Sequence, residues 1–250
     1  MEVPAFVAPV SDSGESDKQG AGFGAQMSDS PESDTQGRDS ERCSRRPGEE
    51  RQHLQAAGSQ YGWMADSRPE TMIRDAKESA LHLGVDTLDL LYSHGPDPAV
   101  PYEDQCGALK QLLDEGVIKY AGISRVNNEQ IDLARGIIGS GLVAVQNQFS
   151  PSHPDPEHTM EHCAELGLAF VCWSPLGGFL DTFDQSAYDP FRTVAAQRGC
   201  SYQRVVLAWE LTRYERLFTI PSARNPQEIN DSFAATQLQL TQEELAMLPC

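Results

Sequence analysis

The chain has 250 residues, 39% of them hydrophobic, and a formal net charge of −18. An acidic chain repels phosphate backbones, and no cluster of Lys and Arg forms a basic surface, so the composition argues against a nucleic-acid-binding protein. No apolar run reaches the length of a membrane span, no secretory signal pattern opens the sequence, and the six cysteines form no CxxC pair, so we expect a reduced, cytoplasmic protein without a membrane partner.

Residues 1–60 are rich in Ser, Asp, Glu, Gly, Gln and Arg and poor in large apolar side chains. Such a segment buries too little apolar surface to offset its ordering entropy, which predicts a disordered acidic tail. Within it, Ser11–Gly20 and Ser28–Gly37 form an imperfect duplication. The duplication is interpreted either as low-complexity expansion or as a pair of phosphorylation sites, and a protein partner of this tail is one hypothesis.

From residue 67 onward, helical patterns that end at glycine alternate with short apolar runs. Ser67–Glu70 has the spacing of a capping box and opens a helix that ends near Leu83, with Gly84 at its C′ position. Strands are predicted at residues 87–92, 117–123, 142–149, 168–173 and 217–221. Further helices are predicted at about residues 102–116, 127–139, 155–167, 191–198, 202–215 and 226–236.

This alternation predicts an α/β fold in which a parallel sheet is covered by helices. About five βα units fit either a TIM-type barrel or a doubly wound sheet, and periodicity leaves both open. No GxGxxG follows any of the predicted strands, so the dinucleotide fingerprint of a Rossmann domain is absent from them.

Five motifs in order carry a resemblance to a known family. They are Leu83–Asp97, Leu112–Ser124, Val145–Pro151, Trp173–Gly178 and Ile220–Asp231. Residues 67–248, which contain them, resemble the aldo-keto reductases, (β/α)8 barrels that reduce carbonyls with NADPH. The motifs match strands four to eight of that family. The resemblance therefore implies a partial TIM-type barrel over residues 67–250, NADP(H) as cofactor and a small-molecule carbonyl substrate.

The resemblance also implies roles for individual residues, each at the carboxyl end of a strand, where barrel active sites lie. His94 resembles the active-site histidine that hydrogen-bonds the substrate carbonyl. Ser124 and Gln146 resemble the pair that holds the nicotinamide carboxamide, with Arg125 where family members commonly have Asn. Trp173 stands where an aromatic ring stacks on the nicotinamide.

The remaining implied contacts concern the phosphates and the adenine. Ser174, Leu176 and Gly177 resemble the loop that holds the pyrophosphate, where glycine allows a close approach. Arg224 is the expected partner of the 2′-phosphate, since its guanidinium is always charged and binds in a bidentate manner. Asp231 stands where the family has an adenine-binding Glu, and Ser232 follows where Asn is usual.

One further motif suggests different chemistry. His158–His162 matches HxxEH, whose two imidazoles could face one metal ion. Because it lies on a predicted outer helix, away from the strand ends, we expect no metal site there.

Ahead of Ser67 no segment matches the family's Asp, Tyr and Lys, so these catalytic residues have no counterpart in the resemblance. We therefore expect this chain to be a truncated barrel with little or no reductase activity. Three hypotheses stay open: an NADPH-dependent reductase of an aldehyde or ketone, a catalytically inactive pseudoenzyme that binds cofactor or regulates a partner, and a non-functional remnant.

Overall fold

The structure is a computed structural model that describes residues 66–155, 157–178 and 184–249. The predicted tail, residues 1–60, lies outside them, and the domain boundaries stay a prediction. The described chain contains a five-stranded sheet in the order β1-β2-β3-β4-β5, and every pairing is parallel. This confirms the predicted α/β class. The strands are β1 (Leu88–Ser93), β2 (Ile118–Ser124), β3 (Leu142–Gln148), β4 (Ala169–Trp173) and β5 (Leu217–Thr219).

A helix precedes the first strand, and others connect the strands and follow the last one. They are α1 (Pro69–Leu83), α2 (Tyr102–Asp114), α3 (Asn128–Ile138), α4 (Thr159–Glu165), α5 (Asp189–Arg198), α6 (Tyr202–Leu211), α7 (Pro226–Ala234) and α8 (Gln242–Met247). The short α8 has no counterpart among the predicted elements. Among the described residues, no helix combines the length and the apolar character that crossing a bilayer requires.

The two ends of α1 differ in how well the sequence predicted them. Gly84 adopts φ 69°, and its N–H donates to the carbonyls of Ala80 and Leu81, which confirms the predicted glycine at the helix end. The predicted capping box is wrong, since the N-cap is Arg68 and its side chain makes no capping hydrogen bond. Ser67 stays outside the helix because its N–H donates to the Asp97 carboxylate at 3.1 Å.

The helix predicted from about residue 155 begins later than its sequence pattern indicated. α4 starts at Thr159 because His158 adopts a left-handed backbone with φ 53°, which interrupts helical geometry. The Asp155 carboxylate instead reaches forward and accepts the Met160 N–H at 2.8 Å. The N-terminus of α4 is therefore capped by Asp155, which precedes Met160 by five residues.

A row of apolar side chains across the sheet forms the centre of the core. Ile123, Val145, Phe170 and Leu217 are neighbours in register on four consecutive strands, and each is at most 4% exposed. Full burial of such a side chain contributes about 1.5–3 kcal/mol. The residues that alternate with them, Ser124, Gln146, Val171 and Phe218, form the parallel row on the opposite face. One face of the sheet thus holds the core, and Gln146 on the other face lines the groove described below.

Glu210 is an ionisable residue on the buried face of α6. Its side chain is fully buried, and neither carboxylate oxygen has a hydrogen-bond partner among the described residues. Burial raises the pKa of the Glu210 carboxyl well above its ordinary value of 4.5. Since the unfolded chain loses this proton at lower pH than the folded chain, Glu210 destabilises the fold progressively as pH rises above 4.5.

We predict that Glu210→Met stabilises the protein by about 1–3 kcal/mol at pH 8, because it removes a buried polar group without partners and keeps similar volume. The gain should shrink as pH falls toward 4.5, and below 4.5 the carboxyl becomes protonated in the unfolded chain as well as in the folded one. Urea unfolding at pH 5 and pH 8 measures both effects. The matched control is Glu215→Met, at an exposed glutamate. A Glu210→Met gain that does not depend on pH would contradict the account.

Candidate functional site

The loops after the five strands meet at one edge of the sheet, because the carboxyl ends of parallel strands share an edge. A groove of about 580 Å³ lies among them. Polar, apolar and glycine residues from the ends of all five strands line it. The described lining residues are His94, Arg125, Gln146, Trp173, Ser174, Pro175, Leu176, Gly177, Gly178, Ile220, Pro221 and Ser222.

His94 enters the groove from the loop that follows β1. This loop is held by Gln105 on α2, whose amide nitrogen donates to the carbonyls of Asp97 at 3.0 Å and Val100 at 2.8 Å. The Gln105 side-chain oxygen accepts the Asp97 N–H at 3.1 Å. Gln105 and Asp97 are both buried. The helix therefore fixes the loop that carries the imidazole.

The segment after β2 is clamped to β3. The Ser124 hydroxyl and the Arg125 N–H both donate to the backbone carbonyl of Gln146, at 2.6 Å and 3.1 Å. The Asn147 side chain accepts the Val126 N–H at 3.1 Å and donates to the Val126 carbonyl at 2.7 Å. Arg125, between these contacts, adopts φ 56°. Such a backbone costs a non-glycine residue about 1–2 kcal/mol, and the clamp supplies the compensating contacts.

Trp173 ends β4 and turns its indole toward the groove. The guanidinium carbon of Arg125 lies 5.2 Å from the centroid of this ring, within the range of a cation–π contact. The chain then reverses: Ser174 adopts φ 50°, its carbonyl accepts the Gly177 N–H at 2.8 Å, and Gly177 and Gly178 follow with φ 68° and 82°. Glycine adopts such angles without strain, and it leaves the backbone open to a ligand.

Strain is concentrated at this groove. Three non-glycine residues in the described chain have positive φ, and two of them, Arg125 and Ser174, line the groove. Residues held in such conformations cluster at functional sites, where surrounding contacts maintain them. The backbone geometry therefore marks the groove independently of its side chains.

Arg224 lies beyond the lining residues Pro221 and Ser222. Its side chain is 90% exposed and pairs with Glu228, at 2.9 Å between Nη2 and Oε1, and the pairing raises the pKa of the Arg224 guanidinium and lowers that of the Glu228 carboxyl. Asn225 caps α7 by accepting the Glu228 N–H at 2.9 Å. The Arg224 guanidinium is thus exposed to solvent but already forms an ion pair with the Glu228 carboxylate.

Asp231 lies on α7, one face of which packs against α6. Its carboxylate accepts hydrogen bonds from the Arg204 guanidinium, with Nε at 3.0 Å, and from the Ser201 hydroxyl. Ser201 also caps α6. The Asp231 side chain is therefore engaged in joining two helices.

The structure brings most of the predicted site residues together. His94, Gln146, Trp173, Ser174, Leu176 and Gly177 line one groove. Three others do not line it: Ser124 is buried and bound to the Gln146 carbonyl, Arg224 stands in the adjoining loop, and Asp231 pairs with Arg204.

Sequence reasoning missed the residues that position the site, namely Asp97, Gln105 and Asn147. A signal existed for Asn147, a polar residue at the end of an apolar strand. No signal marked Gln105, because its role depends on a loop that only the fold brings near.

The two imidazoles of the HxxEH motif have different neighbours. His162 Nε2 lies 2.8 Å from the Asp132 carboxylate on α3, whereas His158 Nδ1 lies 3.5 Å from Glu161. His158 precedes the first helical residue, so the regular i, i+4 spacing of a helical metal motif is not formed.

Comparison with known proteins identifies the family to which this fold belongs. A model of the aldo/keto reductase family matches residues 43–249. The chain belongs to this family. It is 28% identical over 198 residues to pyridoxine 4-dehydrogenase of Escherichia coli, covering 76% of this chain and 67% of that protein. It is 27% identical over 209 residues to aldo-keto reductase str7 of Strobilurus tenacellus, covering 71% and 62%.

Solved structures agree with this assignment at the level of fold. A thermostable aldo-keto reductase in complex with the inhibitor epalrestat superposes with a TM-score of 0.65 at 23% identity, covering 72% of this chain and 65% of that one. A Bombyx mori aldo-keto reductase in complex with NADP gives a TM-score of 0.61 at 24% identity, covering 72% and 62%. The chain thus spans about two thirds of the length of the proteins it matches.

We predict that Asn147→Ala destabilises the protein by about 1–3 kcal/mol, because the Val126 N–H and carbonyl lose their side-chain partners. Asn147→Asp should also destabilise the protein, since its carboxylate can accept the Val126 N–H but cannot donate to the Val126 carbonyl. Guanidinium chloride unfolding measures the series. Equal stability of all three proteins would show that the clamp contributes nothing.

Proposed function

We propose that this chain binds NADPH in the groove and belongs to an enzyme that reduces a small aldehyde or ketone to an alcohol. The observation that carries the proposal is the composition of the groove. It joins the indole of Trp173, the open backbone of Gly177 and Gly178, and a loop that leads to the exposed Arg224. A flat ring, a close-approach backbone and a cation suit a nicotinamide, a pyrophosphate and a 2′-phosphate.

The residues of the site are assigned to different parts of the cofactor. Trp173 offers the stacking face, and the Gln146 amide is assigned to the carboxamide. Ser124 acts by holding the Gln146 backbone, since its hydroxyl donates to that carbonyl. Arg224 must share its guanidinium between Glu228 and the 2′-phosphate. Asp231 is assigned to the adenine end, where its pairing with Arg204 limits the contacts it can offer.

When bound, the reduced nicotinamide supplies a hydride to the carbonyl carbon. Negative charge then builds on the carbonyl oxygen, and a donor aimed at that oxygen lowers the barrier. We assign this role to His94, whose imidazole lines the groove and is held by the Gln105-bound loop.

A non-catalytic function is the second candidate, and the groove lining is the observation that favours it. Among the described lining residues there is one imidazole and one guanidinium, and no carboxylate, phenol or amine. A positioned acid typically contributes about 10²–10⁴-fold to proton transfer. A groove that binds cofactor with His94 alone would therefore turn over slowly.

The first test is equilibrium binding of NADPH to the full chain by titration calorimetry. We expect saturable binding, and the absence of any binding would overturn the proposal. Addition of an aldehyde to the complex, with absorbance followed at the wavelength of the reduced ring, then separates the two candidates. Oxidation of the cofactor supports a reductase, whereas tight binding without oxidation supports a pseudoenzyme.

We predict that Arg224→Gln weakens NADPH binding by about tenfold or more, because a charge-assisted contact to the 2′-phosphate is lost. Binding of NADH, which has no 2′-phosphate, should change little. Arg74→Gln, at an arginine on α1 that also pairs with a carboxylate, is the matched control. Equal weakening of both cofactors would contradict the assignment.

A further inference from the structure

Arg125 lines the groove and pairs with no carboxylate among the residues that the structure describes. Arg198, Arg204 and Arg224 each pair with a carboxylate. No ion pair joins Arg125 to a carboxylate within the described ranges, and its guanidinium rests on the Trp173 ring instead. Partial burial lowers the pKa of the Arg125 guanidinium, but an arginine keeps its proton at neutral pH. The described part of the groove therefore contains a positive charge without a paired carboxylate.

The position of this charge is fixed by the backbone. The Arg125 N–H is bound to the Gln146 carbonyl at 3.1 Å, and the next residue, Val126, is held by two hydrogen bonds to Asn147. The left-handed φ of 56° directs the chain away from the continuation of β2. The cation consequently lies beside the same indole that the proposed function assigns to the nicotinamide ring.

A cation at that place distinguishes the two oxidation states of the ring. The nicotinamide ring is positively charged when oxidised and neutral when reduced, while the phosphates are the same in both. Any attraction between Arg125 and the phosphates therefore cancels when the two forms are compared. The repulsion from the charged ring does not cancel, and it is strengthened because the protein lowers the local dielectric.

The geometry points to Arg125 as a specificity-determining residue that makes the groove favour NADPH over NADP⁺ by charge. This inference rests on the proposed function. Its consequence is directional: the groove retains the reduced cofactor and releases the oxidised form readily, since affinity differences between related complexes lie mostly in the dissociation rate.

Simple competition between Arg125 and the nicotinamide ring for the indole face would have a different signature. Removal of a competitor strengthens binding of both forms by the same factor. The ratio of the two dissociation constants would then stay constant. The ratio, not either constant alone, therefore reports the charge effect.

The experiment measures the dissociation constants of NADPH and NADP⁺ by titration calorimetry for the full chain, Arg125→Gln and Arg125→Lys. Arg, Gln and Lys are all non-glycine residues, so the backbone strain at position 125 is the same in the three proteins. We expect the ratio of the NADP⁺ constant to the NADPH constant to fall on the order of tenfold in Arg125→Gln. Arg125→Lys, which keeps the charge, should retain the ratio.

Arg213→Gln is the matched control, because Arg213 also stacks on an indole, that of Trp209, at 5.4 Å, and is not among the groove residues. It should leave both constants unchanged. If Arg125→Gln binds both cofactors with the ratio of the unmodified chain, the inference is overturned and the proposed function stands. If the unmodified chain binds neither cofactor, the proposed function fails and the inference fails with it.

Discussion

Parallel pairing of consecutive strands is the constraint on which the rest of the structure depends. Each strand must be followed by a connection that returns the chain to the opposite end of the sheet, and here helices make most of these connections. Every strand then ends at the same edge. Five loops from distant parts of the sequence meet there, and residues of these loops and of the strand ends line the groove. The site is thus a consequence of the topology before any particular side chain is considered.

Hydrogen bonds between neighbouring loops hold the loops at this edge in a fixed arrangement. The Gln146 carbonyl accepts hydrogen bonds from both the Ser124 hydroxyl and the Arg125 N–H. The Gln105 side chain both accepts from and donates to the backbone of the loop after β1. The contacts to the Gln146 carbonyl offset the strain of the left-handed backbone at Arg125. A site held by its supporting residues keeps its geometry without a ligand.

The electrostatics of the groove differ from those of the whole chain. The sequence carries a net charge of −18, which opposes the approach of a phosphate-rich cofactor. Arg125 and Arg224 place positive charge at or beside the groove, where a local field acts over short range. Most other described arginines are committed to carboxylates, Arg198 with Glu244 being an example. The positive charge at and beside the groove is therefore local, and its sign is opposite to that of the whole chain.

The amino-acid sequence by itself determined the fold class and the order of the elements, because buried strands and amphipathic helices leave different apolar periodicities. It also determined which residues end the strands: His94, Gln146 and Trp173 were identified from motifs, and the fold brought them to one groove. It did not determine the local start of α1 or α4, since the contacts of Ser67 with Asp97 and of Asp155 with Met160 override helix-start patterns.

Only the tertiary structure decided what the polar side chains do. Whether Asp231 faces a ligand or Arg204, whether Glu210 has a partner, and whether Arg125 points into solvent or onto Trp173 all depend on neighbours far away in sequence. Periodicity records which face of an element is apolar, because burial acts on every residue of that face. A single hydrogen bond or cation–π contact leaves no such repeated trace, and its partner is fixed when the elements pack.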